Sequence, residues 1–141
     1  NYAIDYDKNK TIELKETEDS FASAANYLKT IGWKINQPCF FKIDLKNDIP
    51  KKYLNSSARQ IKNKKKAIFF KKYISNFEQL NLDNNMKAAI IIPDKDIIPD
   101  SETFSPAYII FENYEKILNW NRSLRFALAV CTLKEKFENE I

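Results

Sequence analysis

The chain has 141 residues, enough for one domain or two small lobes with a buried core. With 44% hydrophobic and 30% charged residues it has the composition of a globular protein, and no apolar run of eighteen residues predicts a membrane-spanning helix. The net charge is +4, and the absence of histidine excludes from this chain zinc sites with histidine ligands, Ser-His and Cys-His nucleophiles, and histidine proton relays.

Oxygen-bearing side chains recur in DYDKNKTIELKE, residues 5–16, at the spacing of an EF-hand calcium loop. They occupy positions one, three, five, seven, nine and twelve of the loop: Asp5, Asp7, Asn9, Thr11, Glu13 and Glu16. Position six, where the chain turns sharply and glycine is expected, is Lys10. A non-glycine residue in the left-handed conformation costs on the order of 1 kcal/mol. The spacing leaves two interpretations open, a calcium site and a polar loop without metal.

Residues 17–32 predict a helix, with Asp19 or Ser20 available as its N-cap. Its apolar face repeats at helical spacing: Phe21, Ala24, Ala25, Leu28 and Ile31. Gly32, the only glycine of the chain, lies where this helix would end and suits a left-handed C-cap.

Four short apolar runs in the middle of the chain predict strands. They are residues 39–45 (CFFKIDL), 67–70 (AIFF), 88–92 (AAIII) and 108–111 (YIIF). A short helical turn is expected at residues 76–80. Prolines punctuate this region, so no long helix fits between residues 35 and 107.

The last third is helical again, with a short helix predicted at residues 113–118 and a long one at 123–138. Asn121 or Ser123 can cap the long helix. Its predicted buried stripe is Leu124, Ala127, Leu128, Cys131 and Phe137. The order of a helix, a β-rich region and further helices predicts an α+β protein.

Residues 51–72 contain nine Lys or Arg residues and no Asp or Glu. Since the net charge of the chain is +4, the remaining residues sum to −5. This segregation would attract a polyanion, and the alternative is a solvated loop surface in a lysine-rich chain. We interpret the excess of lysine as a coding bias toward AT-rich codons, which replaces arginine. No RNA- or DNA-binding motif surrounds these lysines, so no nucleic-acid partner is expected.

The two cysteines, Cys39 and Cys131, lie in apolar surroundings and far apart in sequence. A disulfide between them is one interpretation. We expect two buried free thiols instead.

Two stretches together resemble a known family. The first, NYAIDYDKNKTIELKETEDSFASAANYLKTIGW, covers residues 1–33, and the second, FENYEKILNWNRSLRFALAV, covers residues 111–130. Both resemble the C-terminal half of the membrane-bound lytic murein transglycosylase B family. In that family an EF-hand-type calcium loop runs into a helix like SxANYxxxxGW, and a WNRSxxYAxAV motif follows a small β-domain. The counterparts here are residues 23–33 and 120–130, and the insert between them is matched by character and length alone.

The resemblance implies a lysozyme-like α core with an EF-hand-like loop, interrupted by a small β-rich insert. Residues 1–34 would form the core segment with the loop and a helix. Residues 35–107 would form the insert, and residues 108–141 the returning strand and helices of the core.

The resemblance also implies an activity. These enzymes cleave the bond between N-acetylmuramic acid and N-acetylglucosamine without water and leave a 1,6-anhydro end. One glutamate acts as acid and then as base, and it precedes the part of the fold represented here. We therefore expect a fragment that lacks the catalytic glutamate, and Glu13, Glu16 and Glu112 do not replace it. The alternatives are a non-catalytic peptidoglycan-binding or scaffold module, and a basic domain that binds an anionic polymer through residues 51–72.

By the same resemblance, Tyr27 lines the glycan groove, while Trp120 and Asn121 face the saccharide. A flat ring stacks on the apolar face of a pyranose, and an amide supplies both a donor and an acceptor. Phe126 stands where the family has tyrosine, so the ring is kept without its hydroxyl. Arg122 would pair with a peptide-stem carboxylate or with an acid of the core. A half-buried helix aromatic is the structural alternative for Tyr27.

The calcium loop of the resembled family is longer than a standard EF-hand, and its last carboxylate falls fourteen residues after the first. That position is Asp19 rather than Glu16, and the alternative role of Asp19 is an N-cap. Lys8 and Lys10 predict a reduced affinity, because they place positive charge near the cation. The implied ligands of a structural Ca²⁺ are Asp5, Asp7, Asn9, Thr11 and Asp19.

Murein lies outside the inner membrane, so the resemblance implies a periplasmic or outer-membrane-associated protein. No signal peptide is visible, and the chain begins with Asn1 and folded-type sequence, so we expect a piece of a longer, exported protein. The expected partners are peptidoglycan glycan strands and the remainder of the parent enzyme, and the chain is expected to be monomeric.

Overall fold

The computed structural model describes residue 23 and residues 26–93 and 106–140, with side chains up to residue 136. The chain forms two compact units, Asn1–Gln37 and Pro38–Ile141. The helices within the described ranges lack the length and apolar character needed to span a bilayer. The division into residues 1–34, 35–107 and 108–141 stays a prediction.

In the first unit, residues 26–30 are helical, and the helix ends where the sequence predicts. Gly32 has a φ of 93°, the left-handed conformation that glycine adopts without steric cost. Its N–H donates to the Lys29 carbonyl at 3.2 Å, and the Trp33 N–H donates to the Leu28 carbonyl at 2.9 Å. This pair of bonds is a Schellman motif, which satisfies the last carbonyls of the helix. The expected N-cap residues lie outside the described residues.

The second unit contains a small mixed sheet. Its strands are β1 (Phe40–Ile43), β2 (Leu54–Asn55), β3 (Lys65–Lys66), β4 (Lys87–Ile91) and β5 (Ala107–Ile110). The order is β1-β5-β4-β2, with β3 paired to β4. β5 is antiparallel to both β1 and β4, whereas β2 is parallel to β4. Three of the predicted strands, those at residues 39–45, 88–92 and 108–111, are confirmed.

The register of the sheet aligns one apolar row across four strands. Phe41 lies opposite Ile109, Ile109 opposite Ile90, and Ile90 opposite Leu54. Because neighbours in a row point to the same side of a sheet, these side chains face one core, which also contains Phe70. On the opposite face, Ala89, Ile91 and Ile110 are buried as well and Tyr108 is half-buried, so the centre of the sheet is covered on both faces.

The predicted strand at residues 67–70 is wrong. This segment belongs to a 3₁₀ helix, Ala67–Tyr73. Ala67 and Phe70 are both fully buried, while Ile68 between them is exposed. A spacing of three residues returns side chains to the same side of a 3₁₀ helix, whereas a strand would bury every second residue. Two further short 3₁₀ helices are present among the described residues, Lys51–Tyr53 and Phe77–Leu80, and the latter confirms the helical turn expected at residues 76–80.

Two helices follow β5, as predicted: α1 (Glu112–Trp120) and α2 (Leu124–Glu140). Leu124, Ala127 and Cys131 of the predicted stripe are buried, Leu128 is half-buried, and the side chain of Phe137 lies outside those described. The buried Tyr114 hydroxyl donates to the Leu124 carbonyl at 2.6 Å and so joins the two helices. Burial raises the pKa of Tyr114 well above its ordinary value, with a smaller effect from Tyr108. The phenol therefore remains a hydrogen-bond donor at physiological pH.

Cys39 and Cys131 form a disulfide, so the prediction of two free thiols is wrong. Cys39 directly precedes β1, and Cys131 lies on α2, 92 residues later. Both side chains are fully buried, as expected. The Phe111 N–H donates to the Cys39 carbonyl at 3.0 Å, so the start of β1 lies beside the residue where β5 leads into α1. Through β5 and α1 the chain thus returns to the neighbourhood of Cys39. The proximity of the two cysteines cannot be read from the sequence, because they are 92 residues apart.

Candidate saccharide-binding site

Four of the predicted substrate-binding residues lie at one turn, where α1 ends and α2 begins. The Asn121 N–H donates to the Ile117 carbonyl at 3.0 Å and closes α1. The Ser123 Oγ accepts the Phe126 N–H at 3.2 Å, which is an N-cap of α2. The capping role predicted for Ser123 is therefore confirmed. The Tyr114 hydroxyl also donates to the Leu124 carbonyl and so connects α1 to the first residue of α2. Hydrogen bonds therefore fix the turn to both helices.

Trp120 offers a large aromatic surface at this turn. Its side chain is 47% exposed although it is the last residue of α1. The Trp120 and Phe126 ring centroids are 5.6 Å apart with an interplanar angle of 85°, an edge-to-face contact. This contact restricts the indole while leaving about half of it accessible. A restrained, exposed ring is suited to stacking on the apolar face of a sugar.

The polar members of the turn point to the same kind of ligand. Asn121 and Arg122 are both exposed beside Trp120. Within the described part of the chain, the Arg122 guanidinium forms no ion pair. The alternative that Arg122 pairs with an acidic residue of the core therefore has no support among the described residues. Among the described residues, no carboxylate neutralises its charge.

Tyr27 belongs to the other unit. It lies half-buried on the helical residues 26–30 of Asn1–Gln37. That placement fits the half-buried helix aromatic considered above, and a role for this ring in sugar binding stays a prediction.

A polar cleft beside the turn contains residues that the sequence did not indicate. The cleft has a volume of about 280 Å³, and the loop at residues 58–64 faces α1 and Arg122 across it. Lys64 Nζ donates to Glu115 Oε2 at 2.6 Å and so ties that loop to α1. The residues that line the cleft are Ala58, Arg59, Gln60, Ile61, Lys64, Glu115, Leu118, Asn119 and Arg122. The sequence feature that could have indicated this cleft is the rarity of arginine, since only three of the 23 basic residues are Arg.

Some lysines of the basic segment 51–72 lie against aromatic rings of the segment or next to it. Lys72 Nζ lies 4.8 Å from the Phe69 ring centroid and 5.1 Å from that of Tyr73. Lys52 Nζ lies 5.1 Å from the Tyr53 centroid. These cation–π contacts stabilise the lysines where they lie. They favour the interpretation of this segment as a structural surface of the insert.

The predicted calcium ligands, Asp5, Asp7, Asn9, Thr11 and Asp19, lie outside the described residues. Within the described ranges, no group of three or more Cys, Asp or Glu side chains is arranged to hold a metal ion.

Comparison with known proteins identifies the fold and the family of the chain. The fold, mixed helices with a small sheet, matches that of lysozyme-like lytic transglycosylases. The chain belongs to the transglycosylase SLT domain family, whose sequence profile matches residues 1–135. No curated protein sequence matches the chain.

Three solved structures illustrate the similarity. SltB3 from Pseudomonas aeruginosa, in complex with NAG-NAM-pentapeptide, shares 26% identity over 97% of this chain and 35% of its own, with a TM-score of 0.68. The catenated lytic transglycosylase SltB1 from the same organism shares 18% identity over 99% of this chain and 43% of its own, with a TM-score of 0.67. Escherichia coli Slt35, in complex with calcium, shares 20% identity over 95% of this chain and 38% of its own, with a TM-score of 0.63. The chain thus spans between 35% and 43% of the length of these proteins.

Proposed function

We propose that the chain is part of a lytic transglycosylase of the membrane-bound murein transglycosylase B type, and that the α1–α2 turn is one wall of its glycan groove. The observation that carries this proposal is the exposed, restrained Trp120 ring beside Asn121 and Arg122. Membership of the transglycosylase SLT family supports it, as does the SltB3 structure with NAG-NAM-pentapeptide. In this proposal Trp120 stacks on a pyranose, Asn121 hydrogen-bonds to its polar groups, and Phe126 supplies a ring without a hydroxyl. A role of Tyr27 in sugar binding stays a prediction from the family resemblance.

The proposed reaction cleaves the bond between N-acetylmuramic acid and N-acetylglucosamine and produces a 1,6-anhydro end. One carboxylic acid donates a proton to the leaving oxygen and then, as a carboxylate, takes the proton of the muramic acid hydroxyl that closes the anhydro ring. Because no water is activated, a second carboxylate is not required. We assign the catalytic glutamate to the remainder of the parent enzyme. The chain alone would bind glycan strands and leave them uncut.

Replacing Trp120 and Asn121 together by alanine should weaken binding of this chain to purified murein about tenfold or more, which corresponds to about 1.4 kcal/mol. The variant loses the stacking ring and the amide but keeps the Ser123 cap and the Tyr114 bond. Co-sedimentation with murein over a range of protein concentrations measures the effect.

The matched control replaces Lys71 and Lys72, which lie in the basic segment, by alanine and should leave binding within about twofold. The reverse pattern, with loss of binding only when these lysines are neutralised, would identify a basic domain for an anionic polymer and refute the groove.

We propose that the loop at residues 5–19 binds a structural Ca²⁺. Its donors would be oxygens from carboxylates, the Asn9 amide and the Thr11 carbonyl, the kinds of ligand that Ca²⁺ prefers, and the Slt35 structure was solved in complex with calcium. The Asp19 carboxylate would close the site at the start of the following helix. Lys10 would weaken the site by backbone strain and by its charge.

Calcium at about 10 mM should raise the free energy of unfolding by about 1–2 kcal/mol, the amount expected for a weak extracellular-type site. Melting scans with calcium, with magnesium and with chelator measure this. Asp5→Asn should abolish the shift and Lys10→Gly should enlarge it. Identical midpoints with calcium and with chelator in all variants would rule out the site.

We propose that the parent protein is exported, to the periplasm or to the outer membrane. The buried disulfide between Cys39 and Cys131 supports this, because such bonds persist in oxidising compartments and are rare in reducing ones. We propose that it functions there as a monomer on peptidoglycan.

A further inference from the structure

Two of the three arginines of this chain line the same cleft. Arg59 comes from the insert loop and Arg122 from the α1–α2 turn, and they meet at the cleft of about 280 Å³ beside the site described above. The third, Arg125, does not line it. In a chain that uses lysine for nearly all its positive charge, two arginines from distant segments mark a place where a guanidinium has a specific use. A guanidinium is planar and binds a carboxylate through two parallel hydrogen bonds, whereas lysine acts as a point charge.

The loop that carries Arg59 is held firmly at its base. The buried Asn55 side chain accepts the Lys62 N–H at 2.8 Å and donates to the Lys62 carbonyl at 3.1 Å. It also donates to the Ile90 carbonyl of β4 at 2.9 Å. Beyond this anchor, Lys64 is bonded to Glu115 of α1. The position of Arg59 relative to α1 is therefore determined by the fold.

The charge of the cleft is unbalanced. Glu115 is the only acid among its lining residues, as far as the chain is described, and its Oε2 already accepts Lys64 Nζ at 2.6 Å. The side chains of Arg59 and Arg122 form no ion pair with other described residues. Among the described residues, the positive charges of Arg59 and Arg122 are thus not neutralised by a carboxylate. The remaining polar lining, Gln60 and Asn119, consists of amides, which complement the amide groups of a peptide.

We propose that the Arg59–Arg122 cleft binds a free carboxylate of the peptidoglycan stem peptide, so that this part of the groove selects glycan strands that carry peptides over strands that do not. The inference rests on the proposed function, because it places the sugar at Trp120 and the peptide in the adjoining cleft. The amide lining favours a peptide over an inorganic or polymeric phosphate. Arg59 is then a specificity-determining residue supplied by the insert, outside both sequence motifs.

The test compares binding of the full chain to NAG-NAM-pentapeptide and to the NAG-NAM disaccharide without peptide, by isothermal titration calorimetry. The unaltered chain should bind the peptide-bearing ligand about tenfold more tightly. Arg59→Ala should reduce that affinity to the level of the disaccharide, and Arg59→Lys should restore part of it. Lys62→Ala removes the same charge from the same loop but does not line the cleft, so it should bind like the unaltered chain. Circular dichroism checks that each variant is folded.

The outcomes separate this inference from the proposed function. If the two ligands bind with equal affinity and Trp120→Ala abolishes that binding, the glycan groove is supported and the peptide site is refuted. An Arg59→Ala variant that keeps the peptide preference would also overturn it. Stronger competition by inorganic phosphate than by the free pentapeptide would assign the cleft to phosphate and refute the proposal. Binding of neither ligand would refute both the groove and the cleft.

Discussion

Replacing Cys39 and Cys131 together by alanine should lower the free energy of unfolding by about 4–5 kcal/mol, the amount expected when a loop of this length is no longer closed in the unfolded chain. The disulfide joins residues 92 positions apart, so it encloses the whole sheet and α1. Without it, the unfolded chain gains the conformational freedom of that entire segment. For a small protein with a typical stability of about 5–15 kcal/mol, this loss is a large fraction of the total.

Urea unfolding with and without a thiol reductant measures the effect. The unaltered chain should lose stability when reduced, while the double alanine variant should be insensitive to reductant. Alanine is the appropriate replacement because both sites are fully buried, and serine would add the cost of burying a hydroxyl. Detection of two free thiols in the denatured, unreduced protein would contradict the prediction. So would an unchanged midpoint on reduction.

The elements that the sequence predicted correctly are those whose signals are local. β1, β4 and β5 are largely apolar runs, each with a proline close to one of its ends, and each needs only its own side chains to be recognised. Gly32 could be placed because only glycine adopts a φ of 93° without cost. The Ser123 cap depends on a hydroxyl three residues before the N–H that it accepts. In each case the information lies within a few residues.

The errors and omissions have a common physical cause, contacts between residues that are distant in sequence. Residues 67–70 have strand-like composition, but the Ala67 N–H donates to the Met86 carbonyl and the Ile68 N–H to the Asn84 carbonyl, which ties the segment to a turn. β2 has two residues, too few to show alternation, and exists because β4 offers it an edge.

The same holds for the site. Trp120, Asn121, Arg122 and Phe126 were found because they are neighbours in one motif. The Arg59–Arg122 cleft was missed because the fold, and not the sequence order, brings the loop at residues 58–64 to α1. The half-buried salt bridge between Lys64 and Glu115 and the disulfide likewise have no signature in the spacing of their two members.

Asn55→Ala should cost about 2–4 kcal/mol of stability and release the loop that carries Arg59. The Asn55 side chain is buried and makes three hydrogen bonds to backbone groups, two of them to Lys62 and one to Ile90. Its removal leaves the Ile90 carbonyl, inside the core, without this donor, and an unsatisfied buried polar group costs about 1–3 kcal/mol. The vacated volume adds a cavity term.

A matched control is Asn76→Ala. Asn76 also uses its amide for two backbone bonds, accepting the Asp44 N–H at 2.9 Å and donating to the Lys42 carbonyl at 3.4 Å, but these are exposed to water. Its loss should cost about 1 kcal/mol or less, because water replaces the bonds. Urea unfolding gives both values, and hydrogen exchange at the Lys62 N–H reports whether the loop is released.

Hydrogen exchange at the Lys62 N–H and the preference for a peptide-bearing ligand, measured on the same variant, test whether Asn55 positions Arg59. If Asn55 positions Arg59, the Asn55→Ala chain, although still folded at low temperature, should lose most of its preference for a peptide-bearing ligand while retaining its affinity for the disaccharide. The Trp120 turn is held by its own bonds to α1 and α2, which do not involve Asn55. Rapid exchange at Lys62 with an unchanged peptide preference would show that Arg59 acts without this anchor. Slow exchange with a loss of stability would show that Asn55 serves the core alone.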